Sequence, residues 1–280
     1  MSAVVDQLYF SKGQALSSKF AVAAVLLMHL VPCTMLADDA ITPQPADPIK
    51  IFEARVFDGA ETAKLPYRLL KPLDYDPQQV YPLVLFLHGG GERGDDNEKQ
   101  LVHGGRNLSD ETMRRRHPAF VIFPQCPAEK KWVEVPWDAG SHKAPEDPSE
   151  TMHSVFALVE ALQKEFSIDA GRIYGVGLSM GGYGTWDILQ RKPELLAAAV
   201  AVCGGGDPAE AAPFKQTPVW AFHGSADPTV PVNRSREMVN ALESVGGRSI
   251  YTEYKGVGHD SWTETFNNRL VWDWLFSQKK

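Results

Sequence analysis

The 280-residue sequence has little cysteine: three residues, Cys33, Cys126 and Cys203. No cysteine or histidine group has the spacing of a zinc ligand set, and three thiols are too few for a disulfide scaffold. No metal and no cofactor is therefore expected. Positive charge is also short. Lys plus Arg number 28 against 35 Asp plus Glu, a formal net charge of -7. Such a balance disfavours a phosphate backbone, so nucleic acid is excluded as a general partner. No fixed-period repeat is present, which excludes solenoids and propellers.

The run that raises a membrane question is AVAAVLLMHLVPCTMLA, ending at Ala37 and preceded by Lys12 and Lys19. Basic flank, short apolar run and small residue before a polar start is the order of a secretory signal. Cleavage is expected after Ala37, although Met35 is bulky for its position. LVPC resembles a lipoprotein signal, but Pro32 before Cys33 fits it poorly. An uncleaved anchor is the alternative reading. The run is short for a span and is broken by Pro32. The expectation is a signal over residues 1–37, export to the periplasm or beyond, and no stable membrane insertion afterwards. Residues 38–49, rich in proline, read as a flexible lead-in. Residues 50–280 read as the catalytic domain.

What remains is ordinary globular material, 44% hydrophobic and 22% charged in the whole chain, enough for a real core. Its patterns alternate. KIFEARVF (50–57) and LPYRLLKP (65–72) predict two strands in an antiparallel start. YPLVLFLHGGG (81–91) predicts a buried strand running into glycines, and AFVIFPQCP (119–127) another. Residues 149–166 have helical spacing, with Val155, Leu158, Val159, Leu162 and Phe166 on one face. Strands follow at RIYGVG (172–177), AAAVAVCGG (197–205), PVWAFHG (218–224) and SIYTEYKG (249–256). Helices are predicted after Ser179, over 233–245 and over 262–276. This is an α/β protein with a mostly parallel sheet of about eight strands and helices on both faces. Sites in such sheets form at the carboxyl ends of the strands.

Gly177-Leu178-Ser179-Met180-Gly181 is a G-x-S-x-G stretch between a predicted strand and a predicted helix. The turn is tight, glycines are needed at its flanks, and the serine is pushed out at a helix N-terminus. The bland alternative is a glycine-rich packing turn. A serine hydroxyl is a poor nucleophile without a base. Asp227 and His259 each follow a predicted strand, in the chain order Ser, acid, His. His259 would take the serine proton, and Asp227 would fix its tautomer and stabilise the imidazolium. Asp207 is the second candidate for the acid. Asp260 is expected to point elsewhere, and His223 to pack or hydrogen-bond. His103, His117, His142 and His153 read as exposed histidines. Acyl transfer also needs N–H donors for the oxyanion. Met180 supplies one, and the HGGG loop (88–91) the other, through Gly90 first and Gly91 second, with His88 bracing the loop. A phosphate-binding loop is the alternative for HGGG, but no Lys-Ser or Lys-Thr follows.

HGGGERGDDN (88–97), PQCP (124–127), GLSMGGYGTW (177–186) and GVGHDSW (256–262) together resemble the α/β-hydrolase superfamily. More narrowly they are similar to secreted bacterial esterases often labelled "predicted peptidase", related to polyhydroxybutyrate depolymerases and feruloyl esterases. The resemblance covers about residues 50–278. It implies the α/β-hydrolase fold, a triad of Ser179, Asp227 and His259, and a loop-anchoring role for Glu92 and Arg93. In that fold's strand order Cys126 and Cys203 are beyond disulfide reach, so two free thiols are expected. The amino-terminal immunoglobulin-like domain of some relatives finds no room in residues 38–49. The connection between the strands at 197–205 and 218–224 is short, so no large lid is expected. The longest connection, 124–148, carries Trp132 and Trp137 and should wall the cleft. Trp262 beside His259 and Gln125 after its strand complete the candidate substrate contacts, with core packing the alternative for each tryptophan. The expected substrate is a small-molecule ester or an ester-bearing polymer, with short aliphatic esters, decorated polysaccharides and polyesters all open. A peptidase on the same residues is the near rival. A non-catalytic carbohydrate- or polymer-binding protein is the distant one. Oligomeric state has no sequence signal.

Overall fold

A computed structural model of the chain describes residues 47–59 and 62–280. The expected signal, 1–37, and most of the lead-in lie outside the described residues. Eight strands form one sheet in the order β1-β2-β4-β3-β5-β6-β7-β8. They are β1 (Glu53–Phe57), β2 (Leu65–Leu70), β3 (Tyr81–Leu87), β4 (Phe120–Pro124), β5 (Ile168–Leu178), β6 (Ala198–Val202), β7 (Val219–Gly224) and β8 (Ser249–Tyr254). The β1–β2 and β2–β4 pairs are antiparallel, and every other pair is parallel.

The helices are α1 (Pro48–Ile51), α2 (Gly105–Ser109), α3 (Glu111–Arg116), α4 (Glu150–Glu165), α5 (Met180–Arg191), α6 (Asn233–Ser244), α7 (Trp262–Asn267) and α8 (Arg269–Ser277). Strand β3 shows why the sheet needs cover on both faces. Leu83, Leu85 and Leu87 enter one core cluster with residues of α4, α5 and α6. Val84 and Phe86 enter the other, with residues of α2 and α8. A strand apolar on both sides has the composition of a parallel-sheet interior.

The structure adjusts three sequence expectations. Residues 50 and 51 are helical, not extended: Asp47 caps α1 by accepting the Ile49 N–H, and Pro48 opens it, where its fixed φ suits a first helical turn. The closing helix is two helices. Asn268 is extended at φ −82°, ψ 105°, and its side chain accepts the Leu270 N–H, trading helix continuation for an N-cap. The short helices α2 and α3 had no periodic signal strong enough to be read. Between β6 and β7 only two single 3-10 turns occur, at Pro208–Glu210 and Ala212–Phe214, so no large lid covers the site from there. Cys126 and Cys203 are both buried and free.

Candidate active site

Ser179 links β5 to α5 at φ 52°, ψ −118°. A non-glycine residue at positive φ stores strain that the surroundings must hold. Two glycines make the turn possible. A Cβ at Gly177 would come 2.1 Å from the Gly181 carbonyl oxygen, and one at Gly181 would come 1.9 Å from the Leu87 carbonyl oxygen. The Ser179 N–H donates to the Val202 carbonyl at 2.9 Å, tying the turn to β6.

The structure brings Ser179, His259 and Asp227 together. His259 Nε2 lies 2.9 Å from Ser179 Oγ, and His259 Nδ1 lies 2.7 Å from Asp227 Oδ2. An ionised carboxylate only accepts, so the proton between them sits on Nδ1, and Nε2 is left to accept from the serine hydroxyl. The Asp227 side chain is fully buried, and that of His259 is 20% exposed. Burial alone would push the Asp227 carboxyl up. Hydrogen bonds from His223 and His259 and from the Val230 and Thr229 N–H groups outweigh it, and the carboxyl titrates far below the usual carboxylate range. Asp227 is therefore an anion across the working pH range. Asp207 is occupied elsewhere, accepting the Ala209 and Ala144 N–H groups. Asp260 accepts from Thr263.

The HGGG loop passes directly beside the serine. A Cβ on Gly89 would lie 3.6 Å from Ser179 Cβ. Met180 opens α5 and Gly90 opens a 3-10 turn, so both N–H groups belong to helix starts that lack partners of their own. Gly91 lies in the same turn, is exposed, and has nothing within 4 Å of an added Cβ. Arg93 Nε donates to the Gly90 carbonyl at 2.9 Å and fixes the loop from below.

His88 braces this loop at three points. Its Nδ1–H donates to the Gly89 carbonyl at 2.6 Å, its Nε2 accepts the Cys126 N–H at 2.9 Å, and its carbonyl accepts Trp132 Nε1 at 3.0 Å. Burial pushes the His88 pKa down to about 4. The unfolded imidazole protonates near pH 6.5. Between about 6.5 and 4 the unfolded chain thus binds a proton that the folded chain refuses. The His88 contribution to stability is complete above that window and is lost as pH falls through it. We expect the stability advantage of the wild type over His88→Gln to shrink by about 2–3 kcal/mol between pH 7 and pH 4.5. Urea unfolding of both proteins at the two pH values measures it, and a pH-independent difference contradicts it.

Two candidate substrate contacts are corrected. Trp132 is fully buried; it packs under Gly184 and spends its N–H on the His88 carbonyl. Gln125 is also fully buried. Its Oε1 accepts the Asn97 N–H at 2.6 Å, and its Nε2 donates to the Glu92 carbonyl and Asp96 Oδ1. Both are loop supports rather than cleft walls. The other two tryptophans do lie beside the reacting groups. Trp137 reaches to 3.4 Å from a Cβ position on Gly90, with Arg93 and Lys131 over its ring. Trp262 meets the His259 ring edge-on at 5.2 Å.

Sequence reasoning missed three features. ERGDDN folds as a clamp: the Gly94 N–H donates to the Cys126 carbonyl, and Asn97 holds the carbonyls of Arg55 and Tyr67. The pairing of the 88–97 and 124–127 motifs explains why both occur in one chain. His223 hydrogen-bonds as expected, but its partner set includes the acid itself, at 3.2 Å. His117 and His142 are half-buried, not exposed: the first stacks on Phe276 and pairs with Asp273, and the second meets the buried Arg234. His103 is likewise half-buried, facing Glu92 at 3.6 Å and Trp262, while His153 is exposed.

The comparisons with known proteins agree with this architecture. The family model described as Phospholipase/Carboxylesterase matches residues 75–270. The chain belongs to that α/β-hydrolase family. A thermostable esterase is 40% identical with a TM-score of 0.77, over 83% of this chain and 64% of that one. Acyl-protein thioesterase 1 of Neurospora crassa is 28% identical over 206 residues, which is 65% of this chain and 81% of that protein. A ferulic acid esterase of Anaeromyces mucronatus shares the fold at 14% identity and a TM-score of 0.60, over 81% of this chain and 90% of that one. The chain spans 41% and 22% of the length of two further curated relatives that it matches.

Proposed function

We propose that the protein is an exported serine esterase that hydrolyses carboxylic esters through an acyl-enzyme. The observation that carries this reading is the unbroken line Ser179–His259–Asp227, at 2.9 and 2.7 Å, with Met180 next in the chain and the HGGG loop beside the serine at Gly89. Ser179 Oγ attacks the ester carbonyl while His259 Nε2 takes its proton. The carbonyl electrons move onto oxygen, which the Met180 and Gly90 N–H groups receive. The tetrahedral intermediate collapses, the C–O bond to the alcohol breaks, and His259 returns the proton to the leaving oxygen. Water then enters and attacks the acyl carbon while His259 takes its proton. The second tetrahedral intermediate collapses, the bond from the acyl carbon to Ser179 Oγ breaks, and His259 returns that proton to Ser179 Oγ, freeing the carboxylic acid. Asp227 stays ionised throughout and stabilises the imidazolium.

The esterase relatives support ester rather than amide cleavage, and the short connection between β6 and β7 leaves access for a bulky ester. Trp137, beside Gly90, and Trp262, edge-on to His259, are the apolar surfaces for acyl and alcohol groups. Hydrolysis of short- and medium-chain p-nitrophenyl esters beside an untouched prolyl anilide is the expected result. Anilide cleavage without ester cleavage would make the protein a peptidase. Export rests on residues 1–37, and N-terminal sequencing of the mature protein should begin at Asp38.

A further inference from the structure

We infer that His223 is a positioning residue for the hydrolytic reaction, holding Asp227 in the orientation and charge state from which it serves His259. The inference rests on the proposed roles of Ser179, His259 and Asp227.

The His223 and Asp227 side chains are both fully buried, four residues apart, at the end of β7 and in the loop after it. His223 Nε2 faces two acceptors, the Val230 carbonyl at 3.0 Å and Asp227 Oδ2 at 3.2 Å, so this nitrogen carries a proton. The same Oδ2 accepts from His259 Nδ1 at 2.7 Å. The Val230 N–H returns to Asp227 Oδ1 at 3.0 Å, beside the Thr229 N–H at 2.8 Å. His223 and Val230 thus close a ring around the carboxylate. The other imidazole nitrogen is fixed from α6: Nδ1 lies 2.7 Å from Ser235 Oγ, which lies 3.1 Å from the Gly204 carbonyl in the turn after β6. The line Ser235–His223–Asp227–His259–Ser179 spans α6, β7, the loop after β7, the loop after β8 and the turn before α5. Other groups near Asp227 are the Cys203 thiol and the Tyr183 hydroxyl. From β8, Glu253 sits in register with His223 but is held by Arg236 and Tyr251.

Two imidazoles on one carboxylate oxygen divide its charge. Removing the His223 donor leaves a buried carboxylate with less stabilisation, hence a more basic one. That carboxylate holds the His259 imidazolium more tightly, so His259 keeps its proton to higher pH. His223 is sealed from the cleft and has no route to substrate binding.

The test compares wild type, His223→Leu, His223→Gln and Ser235→Ala on a p-nitrophenyl ester. The glutamine amide can replace the Nε2 donor, and leucine cannot. In His223→Leu, kcat should fall about ten- to hundredfold with KM changed less than about twofold, and the acidic limb of kcat/KM should move up by about half to one pH unit. His223→Gln should restore most of both. Ser235→Ala should move the limb the same way by less, and it carries the test if His223→Leu does not fold. The low-field proton NMR signal between His259 and Asp227 should move in His223→Leu and stay in His223→Gln, a readout that needs no turnover. An unmoved limb and proton signal, or identical behaviour of the Leu and Gln variants, overturns the inference alone, provided wild-type turnover depends on Ser179. Turnover that does not depend on Ser179 overturns the triad reading and this inference with it.

Discussion

Ser179→Ala is expected to lower kcat/KM on a p-nitrophenyl ester about 10,000-fold or more, with the fold intact. The size follows from the division of labour. The hydroxyl is the group that forms a bond to the acyl carbon, and among the described residues it is the one hydroxyl hydrogen-bonded to His259 Nε2. Without it the oxyanion donors and binding surfaces still act, and they leave only a small residual rate over water. Alanine keeps a Cβ at φ 52°, so it inherits the strain of the turn and gains nothing in stability. Ser179→Gly relieves that strain. Glycine should therefore be more stable than alanine here by about 1 kcal/mol, although equally inactive. Denaturant unfolding of the pair checks this, and an alanine variant more stable than the glycine variant would show that the turn is unstrained.

Gly181→Ala is the second large effect, and it acts on folding. The added methyl would sit 1.9 Å from the Leu87 carbonyl oxygen, 2.5 Å from its carbon and 2.7 Å from the His88 carbonyl oxygen. All three are backbone atoms of β3 and the loop after it, so no side chain can turn away. Either α5 lifts from the sheet or the HGGG loop is displaced, and both break the site. A cost of more than about 4 kcal/mol is expected, equivalent to a fall of at least about 8–16 °C in Tm for a domain of this size. Gly91→Ala is the matched control, because nothing lies within 4 Å of its Cβ position; its Tm should stay within about 2 °C of wild type. Thermal unfolding followed by circular dichroism separates them. A Gly181→Ala protein with wild-type Tm would mean that the helix and strand are not packed as described.

These two predictions also mark how far the sequence could be read. Ser179, Asp227 and His259 were legible because each follows a strong strand signal, and a parallel sheet delivers strand ends to one edge. Gly177 and Gly181 were legible because only a residue without Cβ survives that turn. What a side chain faces was much harder to read. Trp132 and Trp137 lie five residues apart in one long connection, and nothing in their spacing says that the first turns under Gly184 and the second over Gly90. Gln125 follows a strand just as the site residues do, yet its amide is spent on residues 92–97. The signal that could have exposed it was the polar density of ERGDDN, which needs buried acceptors and donors to fold against. His223 carried a weak signal, since HGxxD places a second titratable group one loop from the acid. Asn268 inside an apolar periodic run was the only hint that the last helix breaks.

The central claim is that Ser179 is a live nucleophile activated by His259 and Asp227. The most direct measurement is the intact mass of the protein after a fluorophosphonate, followed by peptide mapping. One adduct, confined to the peptide carrying Ser179, absent from Ser179→Ala and formed far more slowly in His259→Ala, is the predicted result. An unmodified wild type, or an adduct on any other residue, would contradict the account.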